Sequence, residues 1–439
     1  MGYVIGVLVF VVGMLASIAL HEVGHMVPAK KFGVRVSQFM VGFGPTIRSW
    51  TRGETEYGFK WIPLGGFVRL VGMYAPARPV LADAEPRSGR FEEMAEDARA
   101  VSAEEIRPGE EPRAFYNLSA PKKLVVMLGG PFMNLVIAAV LLGIVTLGWG
   151  VATATSTLAA VVPCAPTTTA VSETCASGAP VSPAAAAGLV PGDRVVEYGG
   201  ERVDGWAELT ERIAAVGPHP TSVVVERAGE RLTLELVPAE LTRTVVDAEG
   251  QPVLAEDGTP RTVTSTYVGV QPTVEADRSL AAVPQQLWAQ VSGTAGIVVT
   301  LPGQVWDVAR TLVTGEDRSA SSVMSIVGVG RVAGEVGTIG GDEVSVGDRV
   351  AVWLSLLASL NIALFVFNLI PLLPLDGGHV AGALYEGAKR QIARRRGRPD
   401  PGPADTARMM PVAYGVFVLL VGMSVLLVVA DIVRPVTLG

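Results

Sequence analysis

Four long apolar stretches alternate with polar segments along the chain. They are Gly2 to Leu20, Leu124 to Trp149, Val350 to Leu375 and Pro411 to Ala430. A helix needs about 20 apolar residues to cross a bilayer, and each stretch is close to that length. The pattern therefore predicts a polytopic α-helical membrane protein with four transmembrane helices.

The first apolar stretch could alternatively be a cleavable signal peptide. A signal peptide begins with a positively charged region and ends at a small-residue cleavage site. Met1 to Tyr3 carry no side-chain charge, and the stretch continues directly into His21 and Glu22. We therefore expect this stretch to be retained as a transmembrane helix.

The segments between the apolar stretches differ in pattern. Segment 34–74 alternates apolar and polar residues and is interrupted by glycines, which is typical of short β-hairpins. Segment 75–120, acidic and rich in Pro and Ala between residues 75 and 112, predicts a flexible cytoplasmic linker. The predicted parts are 1–33 (first span), 34–74 (β region), 75–120 (linker), 121–150 (second span), 155–272 (folded outer domain), 280–349 (amphipathic helix and loop), 350–384 (third span), 385–410 (basic loop) and 411–432 (fourth span).

The outer segment 155–272 has the order of elements found in PDZ domains. A turn at Gly188-Leu189 is followed by Pro191-Gly192-Asp193, a short strand, a helix around Trp206–Ala215 and a β-hairpin. This order resembles an α+β PDZ domain, whose exposed sheet edge accepts an extended peptide as an additional strand. An unrelated α+β domain is the alternative, and residues 243–266 are expected to form an inserted hairpin.

Composition agrees with a membrane protein that carries a soluble part. The hydrophobic fraction is 49% and the charged fraction 18%, with a mean hydropathy of +0.41, whereas soluble chains carry about 25% charged residues. A net charge of −7 provides no basic stripe for phosphates, so we expect no nucleic-acid partner. Two cysteines are too few to build a thiolate metal cluster.

The basic residues predict the orientation in the cell membrane. All six lysines, including the pairs Lys30-Lys31 and Lys122-Lys123, lie in segments 26–123 and 376–410, whereas segment 151–350 is acidic and has no lysine. Loops rich in Lys and Arg face the cytoplasm. We therefore expect the two basic segments inside the cell and the folded outer domain outside.

A short ionisable motif, His21-Glu22-Val23-Gly24-His25, continues the first apolar stretch. The spacing of four residues places both imidazoles on one helix face, where they can bind the same Zn²⁺, with Glu22 beside them as a proton acceptor. The pentapeptide alone is a weak signal. Ionisable residues at a membrane span are costly, however, and by default they mark a functional site.

A catalytic zinc has three protein ligands and one open position, so one more ligand is needed. Asp376, at the end of the third apolar stretch, is the only carboxylate between Asp348 and Glu386. Two prolines precede it, and Gly377-Gly378 permits an irregular backbone close to a metal. Asp376 is therefore the expected third ligand, and the alternative is a residue that caps a cytoplasmic helix.

Together these motifs resemble the site-2 protease family of intramembrane zinc metalloproteases. The resemblance covers nearly the whole chain. It rests on His21–His25, on Leu375-Asp376-Gly377-Gly378, and on Gly130-Pro131-Phe132-Met133-Asn134, which matches the family pattern G-P-x-x-N. It implies cleavage of a single-span, anti-sigma-factor-like protein inside the bilayer, after an upstream extracytoplasmic protease has cut it. One PDZ-like domain is recognisable here, where some members have two.

The resemblance also implies a role for each motif residue. His21, His25 and Asp376 would bind one Zn²⁺ on the cytoplasmic side of the membrane. Glu22 would act as general base and then as general acid in peptide hydrolysis.

Substrate contacts follow from the same resemblance. Gly42, Phe43 and Gly44 would belong to a membrane-dipping β-loop that pairs with the substrate as a strand. Asn134, Asn361 and Asn368 would contact the unwound substrate backbone, although Asn134 and Asn361 could equally form interhelical hydrogen bonds.

Two other functions are compatible with the sequence. One is a catalytically silent membrane scaffold that gathers partners through its PDZ domain, and the other is a quality-control membrane protease with the same zinc motif.

If segment 151–350 is extracytoplasmic, Cys164 and Cys175 are expected to form a disulfide, because disulfides persist outside the cytoplasm.

Overall fold

The structure is a computed structural model whose description covers residues 2–76, 89–164, 180–244, 259–315, 318, 322–338 and 344–436. The chain forms two units. The first combines Met1–Val145 with Leu280–Gly439, and the second is Thr146–Ser279.

The first unit contains the four predicted spans and is called the membrane unit below. It begins with a helix, a β-hairpin and two further helices. The first helix ends at Lys31, where two lysines complement the negative end of the helix dipole. Gly33 follows with φ of 85°, a conformation that favours glycine at a helix end. The elements are α1 (Gly2–Lys31), β1 (Val36–Arg52), β2 (Thr55–Leu70), α2 (Arg90–Glu104) and α3 (Ala120–Gly148).

The second unit is an antiparallel sheet with helices packed on it. Its core contains Tyr198, Leu209 and Val223, all nearly inaccessible to solvent. The elements are β3 (Val151–Val161), α4 (Pro183–Ala186), β4 (Arg194–Tyr198), β5 (Glu201–Arg202), α5 (Trp206–Val216), β6 (Thr221–Arg227), β7 (Glu230–Leu236), β8 (Ala239–Thr244), β9 (Thr262–Tyr267) and β10 (Val270–Asp277).

The sheet of the second unit has the strand order β10-β3-β4-β6-β7, and β5 pairs with β4. Strands β8 and β9 pair separately, from Ala239 with Tyr267 to Thr244 with Thr262. This pairing begins the hairpin expected at 243–266, and residues 245–258 lie outside the described part of the chain.

The chain then returns to the membrane unit. The third apolar stretch, in the predicted span 350–384, is helical in its first part. Its helix ends at Asn368, and a separate helix begins at Asp376 after a turn that contains two prolines. The elements are α6 (Ala282–Thr314), α7 (Ile326–Val336), α8 (Val346–Asn368), α9 (Asp376–Arg395) and α10 (Met410–Val433).

In the described part of the chain, four helical segments are long and apolar enough to cross a membrane. They are α1, α3, α8 and Thr406–Val433, which contains α10. The predicted polytopic helical architecture is therefore confirmed.

The β region is one long hairpin rather than several short ones. Its strands double back, so that Met40 pairs with Phe67 on one side and with Gly58 on the other. The second half of β2, Gly66–Leu70, therefore pairs with β1 along one edge.

The segment expected to be a flexible linker contains the helix α2. On this helix Ala95 is buried, and the buried Arg99 donates to Asp405 Oδ2 at 2.8 Å. The buried face of α2 is difficult to recognise in the sequence because it contains small residues such as Ala95 and Ser102. Residues 77–88 of the segment lie outside the described part of the chain.

Candidate metal centre

Close contact between α1 and α3 builds the centre. A Cβ atom on Gly24 would lie 2.3 Å from the carbonyl oxygen of Gly129, and one on Gly129 would lie 2.0 Å from that of Gly24. Only glycine lets the two backbones approach this closely. The following residue, Gly130, faces the rings of His21 and His25.

Asp376 reaches the same point from the start of α9. The turn before it is tight, since a Cβ atom on Gly377 would lie 2.2 Å from the carbonyl oxygen of Ile370. A Cβ atom on Gly378 would similarly meet the backbone nitrogen of Leu373 at 2.6 Å. The two glycines thus allow the chain to turn and present Asp376 to α1.

The three predicted ligands form a nearly equilateral triangle. The His21 and His25 Nε2 atoms are 3.2 Å apart, and Asp376 Oδ2 is 3.3 Å from each. A tetrahedral zinc with bonds of about 2.0–2.1 Å holds its ligand atoms about 3.3 Å apart. Asp376 Oδ2 is buried and accepts no hydrogen bond from the described residues, as expected of an atom whose lone pair faces a metal. The donor set therefore fits zinc.

The second ring nitrogen of His25 is held by the backbone. Its Nδ1 lies 2.8 Å from the carbonyl oxygen of Val126 on α3. Because a carbonyl oxygen only accepts, Nδ1 carries the proton, and Nε2 keeps a free lone pair for a metal.

The second ring nitrogen of His21 is held by an amide. Its Nδ1 lies 3.0 Å from Asn134 Nδ2, while Asn134 Oδ1 is buried without a partner. The two ends of an amide have the same shape, and exchanging them satisfies both groups. Asn134 Oδ1 then accepts from Nδ1–H of His21, which frees the Nε2 lone pair. Asn134 is fully buried, and its hydrogen bond fixes the orientation of the His21 ring.

Glu22 lies beside the ligands and lines a cavity of about 440 Å³ together with them. Glu22 is buried, with 8% of its surface exposed. A carboxylate in this position can exchange a proton with a water molecule or a peptide nitrogen held in the cavity.

One wall of the cavity is the end of the hairpin, Gly66–Leu70. A Cβ atom on Gly66 would lie 3.4 Å from Glu22 Cγ, and the backbone of Val68 lies next to the Glu22 carboxyl group. The sequence predicted β-hairpins in this segment but did not place this strand at the cavity. The glycine pair Gly65-Gly66 before alternating residues was the available signal.

The segment Gly42-Phe43-Gly44, expected to contact substrate, packs against the strand that lines the cavity. The ring of Phe43 packs over Gly65, where a Cβ atom would be 2.4 Å from it, and it stacks on Phe67 at 6.3 Å. It therefore supports the strand that lines the cavity.

The other two predicted substrate contacts occupy different environments. Asn361 is fully buried and donates to Ser17 Oγ on α1 at 2.9 Å, which is the interhelical arrangement that the sequence also allowed. Asn368 is half-buried at the end of α8.

A buried ion pair anchors α9 to α3. Lys123 Nζ lies 2.7 Å from Glu386 Oε2, and the two side chains are only 7% and 2% exposed. Arg390 contacts the other carboxylate oxygen at 3.1 Å. The pair links the helix that carries Asp376 to the helix that carries Asn134.

Cys164 is disulfide-bonded, whereas Cys175 lies outside the described residues. The bridge between the two therefore stays a prediction.

Comparison with known proteins gives consistent matches over the chain. Residues 9–399 match the family model of Peptidase family M50. The chain is 34% identical over 458 residues to the zinc metalloprotease Rip1 of Mycobacterium tuberculosis, with 100% of both chains covered. It is 31% identical to Rip1 of Mycolicibacterium smegmatis, with 99% and 98% covered. It is 26% identical over 408 residues to the metalloprotease MmpA of Caulobacter vibrioides, with 88% and 89% covered.

Proposed function

Since this chain belongs to peptidase family M50, the site-2 family of zinc metalloproteases, we propose that it cleaves the transmembrane segment of a single-span membrane protein. The observation that carries the proposal is the triangle of His21, His25 and Asp376. Its sides of 3.2–3.3 Å suit zinc, and two of its members lie on a helix long and apolar enough to cross a membrane.

The chemistry divides between the metal and Glu22. When bound, zinc polarises a peptide carbonyl and lowers the pKa of water. Glu22 accepts a proton from the attacking water and returns it to the leaving amine. The cavity that holds Glu22 is lined by residues of α1, α2 and α9 and of the hairpin.

We propose that the substrate is held as a strand next to Gly66–Leu70. A helical substrate hides its carbonyl groups in its own hydrogen bonds, and freed backbone groups are costly in lipid. Strand pairing along an edge compensates these groups. Support comes from the position of Gly66–Leu70, which pairs with β1 on one side and lines the cavity with Glu22.

The orientation we propose places this centre towards the cytoplasm. Lys30 and Lys31 lie in the last turn of α1, and Lys122 and Lys123 lie in the first turn of α3. These are the ends of the two helices nearest the metal ligands. A positive charge at these ends favours the cytoplasmic side of the cell membrane.

For the second unit we propose a PDZ-like role outside the cytoplasm. Its helix α5 and residues Thr264–Val270 line a groove of about 540 Å³, with Trp206, Thr210 and Ile213 on the helical side. A groove between a helix and a strand suits an extended peptide. The unit would screen substrates, such as an anti-sigma-factor-like protein first cut by an upstream protease.

Co-expression with candidate single-span proteins tests the proposed function. Wild-type protein should cleave a substrate already trimmed outside the membrane, and Glu22→Gln should leave it intact, because the variant removes the proton acceptor and no metal ligand. A variant lacking residues 160–270 should still cleave the trimmed substrate. A scaffold predicts the reverse: function lost with the outer unit and unaffected by Glu22→Gln.

A further inference from the structure

The 33-residue helix α6 has an unusual charge pattern for a helix outside the four predicted spans. No Asp, Glu, Lys or Arg occurs between Arg278 and Asp307. A helix on an aqueous surface normally has a charged or polar face. Helices that lie at a membrane interface usually have Lys and Arg on that face, and α6 has none before Arg310.

One face of α6 packs on helices that are themselves candidate spans. In its first half, Val283, Leu287 and Val291 pack against a cluster formed by α3 and α8. In its second half, Val308 and Leu312 pack with α10. The partner residues are Ala138 and Leu142 on α3, Ala358 and Ile362 on α8, and Leu427 and Ala430 on α10.

These partners lie at different depths along their helices. Ala138 is about ten residues before Gly148 and Ala358 is about twelve after Val346, which is roughly 15–18 Å from the helix ends. Leu427 and Ala430 are close to the end of α10 at Val433. By the predicted topology all three ends face outside, so α6 extends from near the bilayer centre towards the outer surface.

The exposed side of α6 bears large apolar residues among small and uncharged polar ones such as Gln285, Ser292 and Thr300. Trp288 is 71% exposed, Val299 80% and Trp306 72%. The two tryptophans are separated by about 27 Å at 1.5 Å per residue. Exposed apolar surface on this scale marks an interaction site. Neighbouring α10 is also apolar on its exposed side, with Phe417, Val421 and Val425 among its exposed residues.

We propose that α6 is a fifth membrane-embedded helix, which lies obliquely in the outer leaflet with Trp288, Val299 and Trp306 in contact with lipid acyl chains. Helix α10, which packs against α6, also exposes apolar side chains, and the stretch between Arg278 and Asp307 offers no charge for a polar partner. The four spans identified by length and hydropathy therefore undercount the helices in the membrane.

Depth-dependent quenching tests this placement in the full-length protein reconstituted in nanodiscs. With Cys164 and Cys175 replaced by serine, a fluorescent probe is attached at Val299→Cys. The matched control carries the probe at Val237→Cys, a valine that is 57% exposed in the second unit. Doxyl-labelled lipid should quench the probe at position 299 several-fold more than aqueous iodide does, and the ratio should reverse at position 237.

Two outcomes would overturn the proposal. Quenching by iodide at position 299 would place the face in water, and shielding from both quenchers would mean that protein covers it.

A second measurement needs no attached probe. Brominated lipids should quench the tryptophan emission of the native chain, and the double variant Trp288→Phe/Trp306→Phe should lose a measurable share of that quenching. An unchanged quenched fraction would also refute the lipid contact.

Discussion

A single added methyl group at Gly130 is expected to destroy the metal centre. A Cβ atom there would lie 2.2 Å from His25 Nε2 and 2.7 Å from His21 Cε1. Ordinary van der Waals contact begins at 3.4 Å, so the His25 nitrogen would have to move by about 1.2 Å. Metal–ligand distances tolerate changes of only about 0.2 Å.

Neither side of this contact can yield easily. The adjacent Gly129 is already in backbone contact with Gly24, so α3 cannot rotate or withdraw without separating the helices. The His25 ring is fixed by its hydrogen bond to Val126. Since displacing a mere partner of a ligand costs about 10–100-fold in metal affinity, Gly130→Ala should lower zinc affinity by at least about 100-fold.

Zinc content by mass spectrometry and competition with a chromophoric chelator measure this loss in purified protein. Gly143→Ala is the matched control on the same helix, because its new Cβ atom would meet only Leu280, at an ordinary 3.6 Å. It should bind zinc as the wild-type chain does. Wild-type zinc affinity in Gly130→Ala would refute the geometry described for the centre.

Further variants test three separate contacts. Asn134→Leu should lower zinc affinity about 10–100-fold in a chelator titration, whereas Asn134→Asp, which keeps an acceptor, should bind nearly as the wild type does; equal losses would contradict the orienting role. Glu386→Ala leaves Lys123 buried without its 2.7 Å partner and should cost about 3–5 kcal/mol in unfolding free energy in detergent, and a cost below about 1 kcal/mol would contradict it. Burial alone would raise the pKa of Asp193, but the hydrogen bonds from Arg227 lower it below its usual value. The stabilisation is therefore complete above pH about 4 and is lost as the pH falls through the lowered pKa; a thermal melt of Arg227→Met that keeps the same acid dependence would argue against this pair.

Local patterns in the sequence were sufficient to predict the four long apolar helices and to single out His21, His25 and Asp376 as candidate metal ligands. The apolar stretches depend on bilayer thickness, which acts on each helix independently of the others. His21 and His25 are brought together by helix periodicity alone, so their shared face needs no tertiary information. Asp376 could be proposed because few carboxylates compete with it near a span.

Contacts made only in the folded molecule could not be read in the same way. The pairing of Asn134 with His21 joins residues that are 113 positions apart; the sequence allowed Asn134 either a substrate contact or an interhelical hydrogen bond, and it did not identify His21 as the partner. The strand that lines the cavity depends on how β1 and β2 double back, which glycines permit but do not specify. Helix α2 was missed because its buried face contains small residues and the long-range pair between Arg99 and Asp405.

Cleavage of one defined single-span protein in nanodiscs, with zinc measured in the same sample, tests the central claim most directly. Wild-type enzyme with about one zinc per chain should cut a bond inside the transmembrane segment, located by mass spectrometry of both products. Glu22→Gln should hold the same zinc and yield no product. Cleavage by Glu22→Gln at the wild-type rate, or wild-type cleavage after the zinc has been removed, would contradict the zinc-dependent mechanism.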